Sequence, residues 1–175
     1  MKFLKVTLIL ALGIGISPVT FAGEASVTWS SPENYEDVRL AQIDPDNEEL
    51  QVRFSRIARH IDRLAEMHLA DGEELKITVT DYDMAGTMLA NQGFNAREFE
   101  RKAMMNEFPV MTIDFERVSA DGTVVSSEQG VEIEGRAIRT EGRSRFPRIS
   151  SRDEYVSAEL NMLNRWFAQQ FLSQE

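Results

Sequence analysis

The chain has 175 residues, with 29 Asp and Glu against 19 Lys and Arg, for a formal net charge of −10. That length suits one domain with one core, and that charge excludes holding nucleic acid or an anionic leaflet by bulk attraction. The absence of cysteine excludes a disulfide framework, a thiol nucleophile and a thiolate metal site.

Lys2 and Lys5 open a leader whose apolar run, Val6 to Ile16, is broken only by Thr7, Gly13 and Gly15. Ser17-Pro18 ends the run, and Thr20-Phe21-Ala22 sets small residues where a signal peptidase reads. At about eleven residues the run is short of the roughly 20 that span a bilayer. Residues 1–22 therefore read as a cleaved secretory signal, cut after Ala22, with no cysteine following to accept a lipid. The expected product, residues 23–175, is a periplasmic, single α+β domain with no transmembrane segment. The leader carries two lysines and no acid, so its loss takes the net charge from −10 to −12.

Val27-Thr28-Trp29 predicts a short strand, closed by Ser30-Ser31-Pro32. Residues 30–47 are polar, carry Pro32 and Pro45, and read as loop. Asp46 or Asn47 can cap a helix that has Glu48 and Glu49 in its first turn. Leu50, Phe54, Ile57, Ile61, Leu64 and His68 then recur at helical spacing, with Arg53, Arg56, Arg59 and Arg63 off that stripe. Asp71-Gly72 ends the helix. Leu75, Ile77 and Val79 alternate with polar residues as a half-buried strand leading into Asp81. The stretch from Tyr82 to Phe108 has an ambiguous pattern: it contains Gly86 and Gly93, then a charged segment, Arg97 to Lys102, that fits helix, loop or irregular edge strand alike. Met111, Ile113 and Phe115 alternate again, Ser119 to Gly122 is a turn, and Thr123 to Ile133 returns, which predicts an antiparallel hairpin. Ser151 to Glu154 has the form of a capping box, and Val156, Leu160, Leu163, Phe167 and Phe171, widened by Met162 and Trp166, mark a final helix. The expected architecture is α+β: a small mixed or antiparallel sheet of three to five strands, with two amphipathic helices on one face. A first strand paired with the second across the helix would be parallel to it.

Four stretches resemble an exported proteobacterial family catalogued as domain of unknown function 3016. They are Val27 to Pro32 running on through Tyr35 to Arg39; Val79 to Gly86; Pro109 with Ile113-Asp114-Phe115 and Ala120-Asp121-Gly122; and Glu159 with Met162-Leu163 and Trp166-Phe167. The resemblance implies export and a single domain. It brings no activity.

Chemistry has few footholds. Asp81 and Asp83, followed by Gly86, resemble the start of a calcium loop, but Ala85 and Gln92 stand where further ligands belong. They read either as metal ligands or as turn residues bonding local amides. Met84, Met88, Met104, Met105 and Met111 suggest Cu(I) or, more simply, adaptable core filler. His60 and His68, eight residues apart on one helix, lie more than about 10 Å apart and cannot share an ion. His68 fits the helix C-terminus, where a cation is favoured. No catalytic residues and no cofactor are assigned, since there is no nucleophile elbow and no histidine beside a candidate serine.

Six arginines, Arg136, Arg139, Arg143, Arg145, Arg148 and Arg152, form the one strong basic cluster. They read either as a recognition segment for phosphate or carboxylate groups or as partners of the chain's own acids, Glu132, Glu134 and Glu141 among them. The leading expectation is a non-catalytic binding or accessory domain of the cell envelope, with an unidentified, anionic envelope component as partner. Its contact residues would be Arg143, Arg145, Arg148, Trp29 and Tyr35, in loops around 30–39, 81–95 and 136–150. The alternative is a small metal-dependent hydrolase using Asp81 and Asp83, with Asp114 and a histidine converging on them.

Overall fold

The computed structural model describes residues 22–40, 46–84, 87–90, 99–102, 108–136 and 149–172. Residues 1–21 of the leader and Arg139, Arg143, Arg145 and Arg148 lie outside them, as do Met104 and Met105. Four strands, β1 (Glu24–Trp29), β2 (Glu74–Asp83), β5 (Val110–Val118) and β6 (Val124–Glu134), form one sheet in the order β1-β2-β5-β6. β1 runs parallel to β2, and the other two pairings are antiparallel, so the sheet is mixed. A separate antiparallel pair, β3 (Thr87–Ala90) and β4 (Phe99–Lys102), occupies part of the stretch whose pattern was ambiguous.

Helix α2 (Glu48–His68) begins where Asn47 Oδ1 accepts from the amides of Glu49 and Leu50, at 3.0 and 3.3 Å. Those bonds satisfy two of the four orphan donors of the first turn. The stripe then does what its spacing predicts, since Leu50, Phe54, Ile57, Ile61 and Leu64 are all buried. Leu75, Ile77, Val79 and Tyr82 of β2 and Met111, Ile113 and Phe115 of β5 bury on the same side, and both long helices share that core. The opposite face, with Lys76, Thr78 and Thr80 on β2 and Thr112, Asp114 and Glu116 on β5, is partly or fully exposed. Among the described residues no helix is long and apolar enough to cross a membrane.

Three register shifts adjust the sheet, one between β2 and β5 and two between β5 and β6, of which the one at Arg117/Val118 lies next to the hairpin turn. On β2 the register steps between Val79 and Asp81, leaving Thr80 as the extra residue, so Thr80 and Asp81 both face outward and Tyr82 turns in. That reverses the inward parity from odd to even along the strand. On β6 the other step lies opposite Asp114, where Gly130 adopts φ +65° and donates its amide to Asp114 Oδ1 at 2.8 Å. Glycine suits that conformation because a side chain there is strained.

Three local expectations are corrected. The 30–47 loop contains a 3₁₀ turn (Pro32–Asn34) and a short helix α1 (Glu36–Leu40), held to β2 by Asp37 Oδ2 accepting from the Met84 amide at 2.7 Å. The capping-box sequence forms a 3₁₀ turn (Ser151–Val156), and α3 (Ser157–Phe167) starts after it with no side-chain cap. Asp153 is drawn into tertiary bonds with Arg56 and Ser150, which override the local helix signal. Beyond α3 the chain widens into a π turn (Ala168–Leu172), and Phe171 still reaches the core, 4.7 Å from the Phe167 ring and 5.9 Å from Phe115.

Phe54 stacks on Trp29 at 3.9 Å, and Phe167 anchors the aromatic group with Trp166 and Phe171. Replacing either Phe54 or Phe167 by alanine is expected to cost about 3–5 kcal/mol in urea unfolding. A loss below about 1 kcal/mol would place these side chains outside the core.

Candidate functional site

Along α2, Arg53, Arg56, His60 and Arg63 each stand one position before a member of the apolar stripe, and so flank it on one side. Three of them meet α3 and its preceding turn. Arg53 Nη1 lies 2.8 Å from Glu159 Oε1, with side-chain exposures of 11% and 2%, so the pair is buried. The Tyr82 hydroxyl donates to the same Glu159 oxygen at 2.8 Å. Burial and then the Glu159 charge push the Tyr82 phenol well above its ordinary value, so it remains a donor. The Arg53 guanidinium also lies over the Tyr155 ring, 5.4 Å from its centroid.

One turn further along α2, Arg56 Nη1 meets Asp153 Oδ1 at 2.5 Å while Ser150 Oγ donates to Oδ2 at 2.6 Å. The Ser150 hydroxyl and, against the cost of burial, the Arg56 guanidinium hold Asp153 below the usual carboxylate value. Next in line, His60 Nε2 and Asn164 Oδ1 are 2.7 Å apart. An amide oxygen only accepts, so Nε2 is the donor in this contact and Nδ1 is the other ring nitrogen. That Nδ1 is buried without a hydrogen-bond partner. Burial lowers the His60 pKa, opposed by the Asn164 bond and assisted by the nearby Arg63 charge. Arg56 and Tyr155 also line a shallow depression of about 650 Å³ with Asn47, Glu48, Glu49 and Val52.

The residues expected to bind are placed as follows. Tyr35 is fully buried, and its hydroxyl donates to the Val79 carbonyl at 2.9 Å, beside the β2 bulge. Burial, reinforced by the Asp81 charge, raises its phenol above the ordinary value. Trp29 is half-buried against Phe54. Asp81 is exposed, with Oδ1 accepting from the adjacent Tyr82 amide at 2.9 Å, and Asp83 is half-buried at the end of β2. Asp114 clamps the Gly130 bulge. His60 and His68 sit on α2, and among the described residues no group of three or more His, Asp or Glu could hold a metal ion. Met84 and Met111 are core residues. Arg136 and Arg152 are the members of the arginine segment that fall within the described residues, and both are exposed.

In sequence Arg53 stands only as a residue off the apolar stripe, His60 only as a histidine too far from His68 to share an ion, and Asn164 not at all. For Arg53 and His60 the available signal was a row of basic-type residues one position before an apolar stripe, since such a row sits at the boundary of the buried face.

The buried pair and the buried histidine give two expectations. Glu159→Ala should destabilise by about 3–5 kcal/mol, because Arg53 is left as an uncompensated buried charge. Arg53→Met combined with Glu159→Gln should cost less than the two single changes added, as read from a double-mutant cycle in urea. For His60 the folded pKa lies below the unfolded value of about 6.5. The unfolded chain therefore takes up the proton first, and stability present above about pH 6.5 is lost as pH falls through the folded value. Melts at pH 7.5 and 5.5 should show a larger loss in the wild type than in His60→Gln; equal losses would refute the assignment.

The family whose description is protein of unknown function (DUF3016) matches residues 23–169, and the chain belongs to that family. No curated protein and no solved structure matches it.

Proposed function

We propose that this member of a family of unknown function is an exported, periplasmic domain that binds an envelope component without catalysing a reaction. The observation that carries this reading is the condition of its buried carboxylates. Among the described residues these are Asp37, Glu73, Asp153 and Glu159. Each is held by donors from the protein itself: the Met84 amide, Arg117 with the Ala70 amide, Arg56 with Ser150, and Arg53 with Tyr82. A carboxylate locked in this way serves architecture, whereas a general acid or base needs a proton it can exchange with substrate. The contact with the partner is assigned to the arginine-rich stretch between Arg136 and Arg152, which reverses the sign of an otherwise acidic chain. Guanidinium groups suit phosphate and carboxylate recognition.

Export is tested by the intact mass of the protein released from the periplasm, which should begin at Gly23. A product retaining the apolar run would refute it. Binding is tested by pull-down from envelope extracts at low and high salt, comparing wild type with the triple change Arg143→Gln, Arg145→Gln and Arg148→Gln. A salt-sensitive partner should be lost in the variant while the fold is kept, since exposed charge contacts are screened beyond about 8 Å at physiological ionic strength. Identical partners in all four conditions would end the reading. So would a metal-dependent hydrolytic activity abolished by Asp81→Asn and Asp83→Asn, which is the outcome the hydrolase alternative requires.

A further inference from the structure

A second, smaller cleft lies where α3 passes the end of β6. It encloses about 230 Å³, and Arg136, Arg165, Trp166 and Gln169 stand on its wall with Glu132 to Glu134. Its electrostatics run against the rest of the chain. Arg165 is half-buried, and its pKa is lowered by burial and then by the charge of Arg136. Among the described residues neither guanidinium belongs to an ion pair, in a protein with ten surplus acids. Among the described residues the Arg165 side chain makes one hydrogen bond, a long 3.5 Å contact to the Glu134 carbonyl. Ile133 is buried in the core, while Glu132 and Glu134 on either side of it are exposed and also line the cleft without pairing with either arginine. Trp166, 6% exposed, carries an indole N–H that is buried without a partner.

Two like charges brought together and left uncompensated repel each other, and that repulsion is relieved when an anion enters between them. We propose that the α3–β6 cleft is a binding site for a phosphate-class oxyanion, held between Arg136 and Arg165. Two guanidinium forks match a dianion with tetrahedrally placed oxygens better than a single planar carboxylate. A volume below the roughly 300 Å³ at which sites for whole drug-sized molecules begin implies that the cleft takes the phosphate group, with any attached lipid or glycan portion outside. This inference rests on the binding reading above and gives that reading a ligand class.

The test is a titration of the purified protein with inorganic phosphate, and separately with glycerol 3-phosphate, followed by ¹H–¹⁵N correlation spectra. The chain has two tryptophans, so the indole region reports Trp166 against Trp29 as an internal control. Saturable shifts of the Trp166 indole and the Arg165 and Gln169 amides are expected with phosphate, and only small linear drift with chloride at matched ionic strength. A response to inorganic phosphate identifies the free ion as sufficient, and one confined to glycerol 3-phosphate identifies a phosphate ester. Arg136→Gln, a change at an exposed residue, should weaken binding about tenfold or more with an unaltered melt, and Arg165→Gln should do the same. The proposal is overturned if neither titrant saturates, if chloride gives the same shifts, or if Arg136→Gln binds as the wild type does. Envelope capture without a phosphate response would remove this inference alone. A phosphate response without envelope capture would remove the envelope reading and leave the site.

Discussion

The contact on which most of the architecture depends is the shared oxygen of Glu159, which accepts from Arg53 on α2 and from Tyr82 on β2. Residues from three elements distant in sequence meet at one buried acceptor, so the placement of α3 over α2 and the sheet is specified by direction as well as by apolar fit. Burying such a pair is expensive, and apolar replacements of similar volume often match or exceed its stability. Its contribution is therefore orientation. Sliding α3 by a turn would keep much of the hydrophobic contact and strand three polar groups in the core. The neighbouring Arg56–Asp153 and His60–Asn164 contacts repeat the constraint at successive turns of α2.

The sheet answers to the same requirement. Tyr82 reaches Glu159 because the bulge at Thr80 rotates the last residues of β2 by one position. Without that extra residue the strict alternation from Leu75 would put Asp81 in the core and Tyr82 in water. The bulge is held in place from the side: Val79 offers its carbonyl to both the Tyr35 hydroxyl and the Ser30 amide, at 2.9 Å each. The 3₁₀ turn and α1 are thus a brace on β2, and the burial of Tyr35 follows from that duty.

Much of this was readable along the chain. The stripe from Leu50 to Leu64, the Asn47 cap, and the strands around Ile77 and Ile113 depend on contacts of short range or on simple period, and these are local properties. The α2–α3 seam is not local: its partners stand 106, 97 and 104 residues apart. No window of sequence relates Arg53 to Glu159, and an arginine beside an apolar stripe reads as solvated by default. The capping box at Ser151 failed for the related reason that Asp153 had a stronger use elsewhere. The β2 bulge did leave a trace, in the consecutive polar pair Thr80-Asp81 followed by inward Tyr82 and Met84. Asp81 and Asp83 drew a chemical reading because two acids at a strand end look alike whether they bind ions or border a bulge.

Among the described residues β6 is an edge of the sheet, and this bears on how the protein coexists with its own copies. An eleven-residue edge strand with Val124 and Val125 each half exposed is a template on which another chain could extend the sheet. The kink at Gly130 breaks the flat run of amides and carbonyls that such growth requires, and Glu128, Glu132 and Glu134 load the strand with like charge. A second β6 docking antiparallel would have to match one bulge against another and bring carboxylates together across the join. The irregularity that Asp114 clamps in place is therefore also a guard against aggregation, and straightening it would expose a continuous adhesive edge.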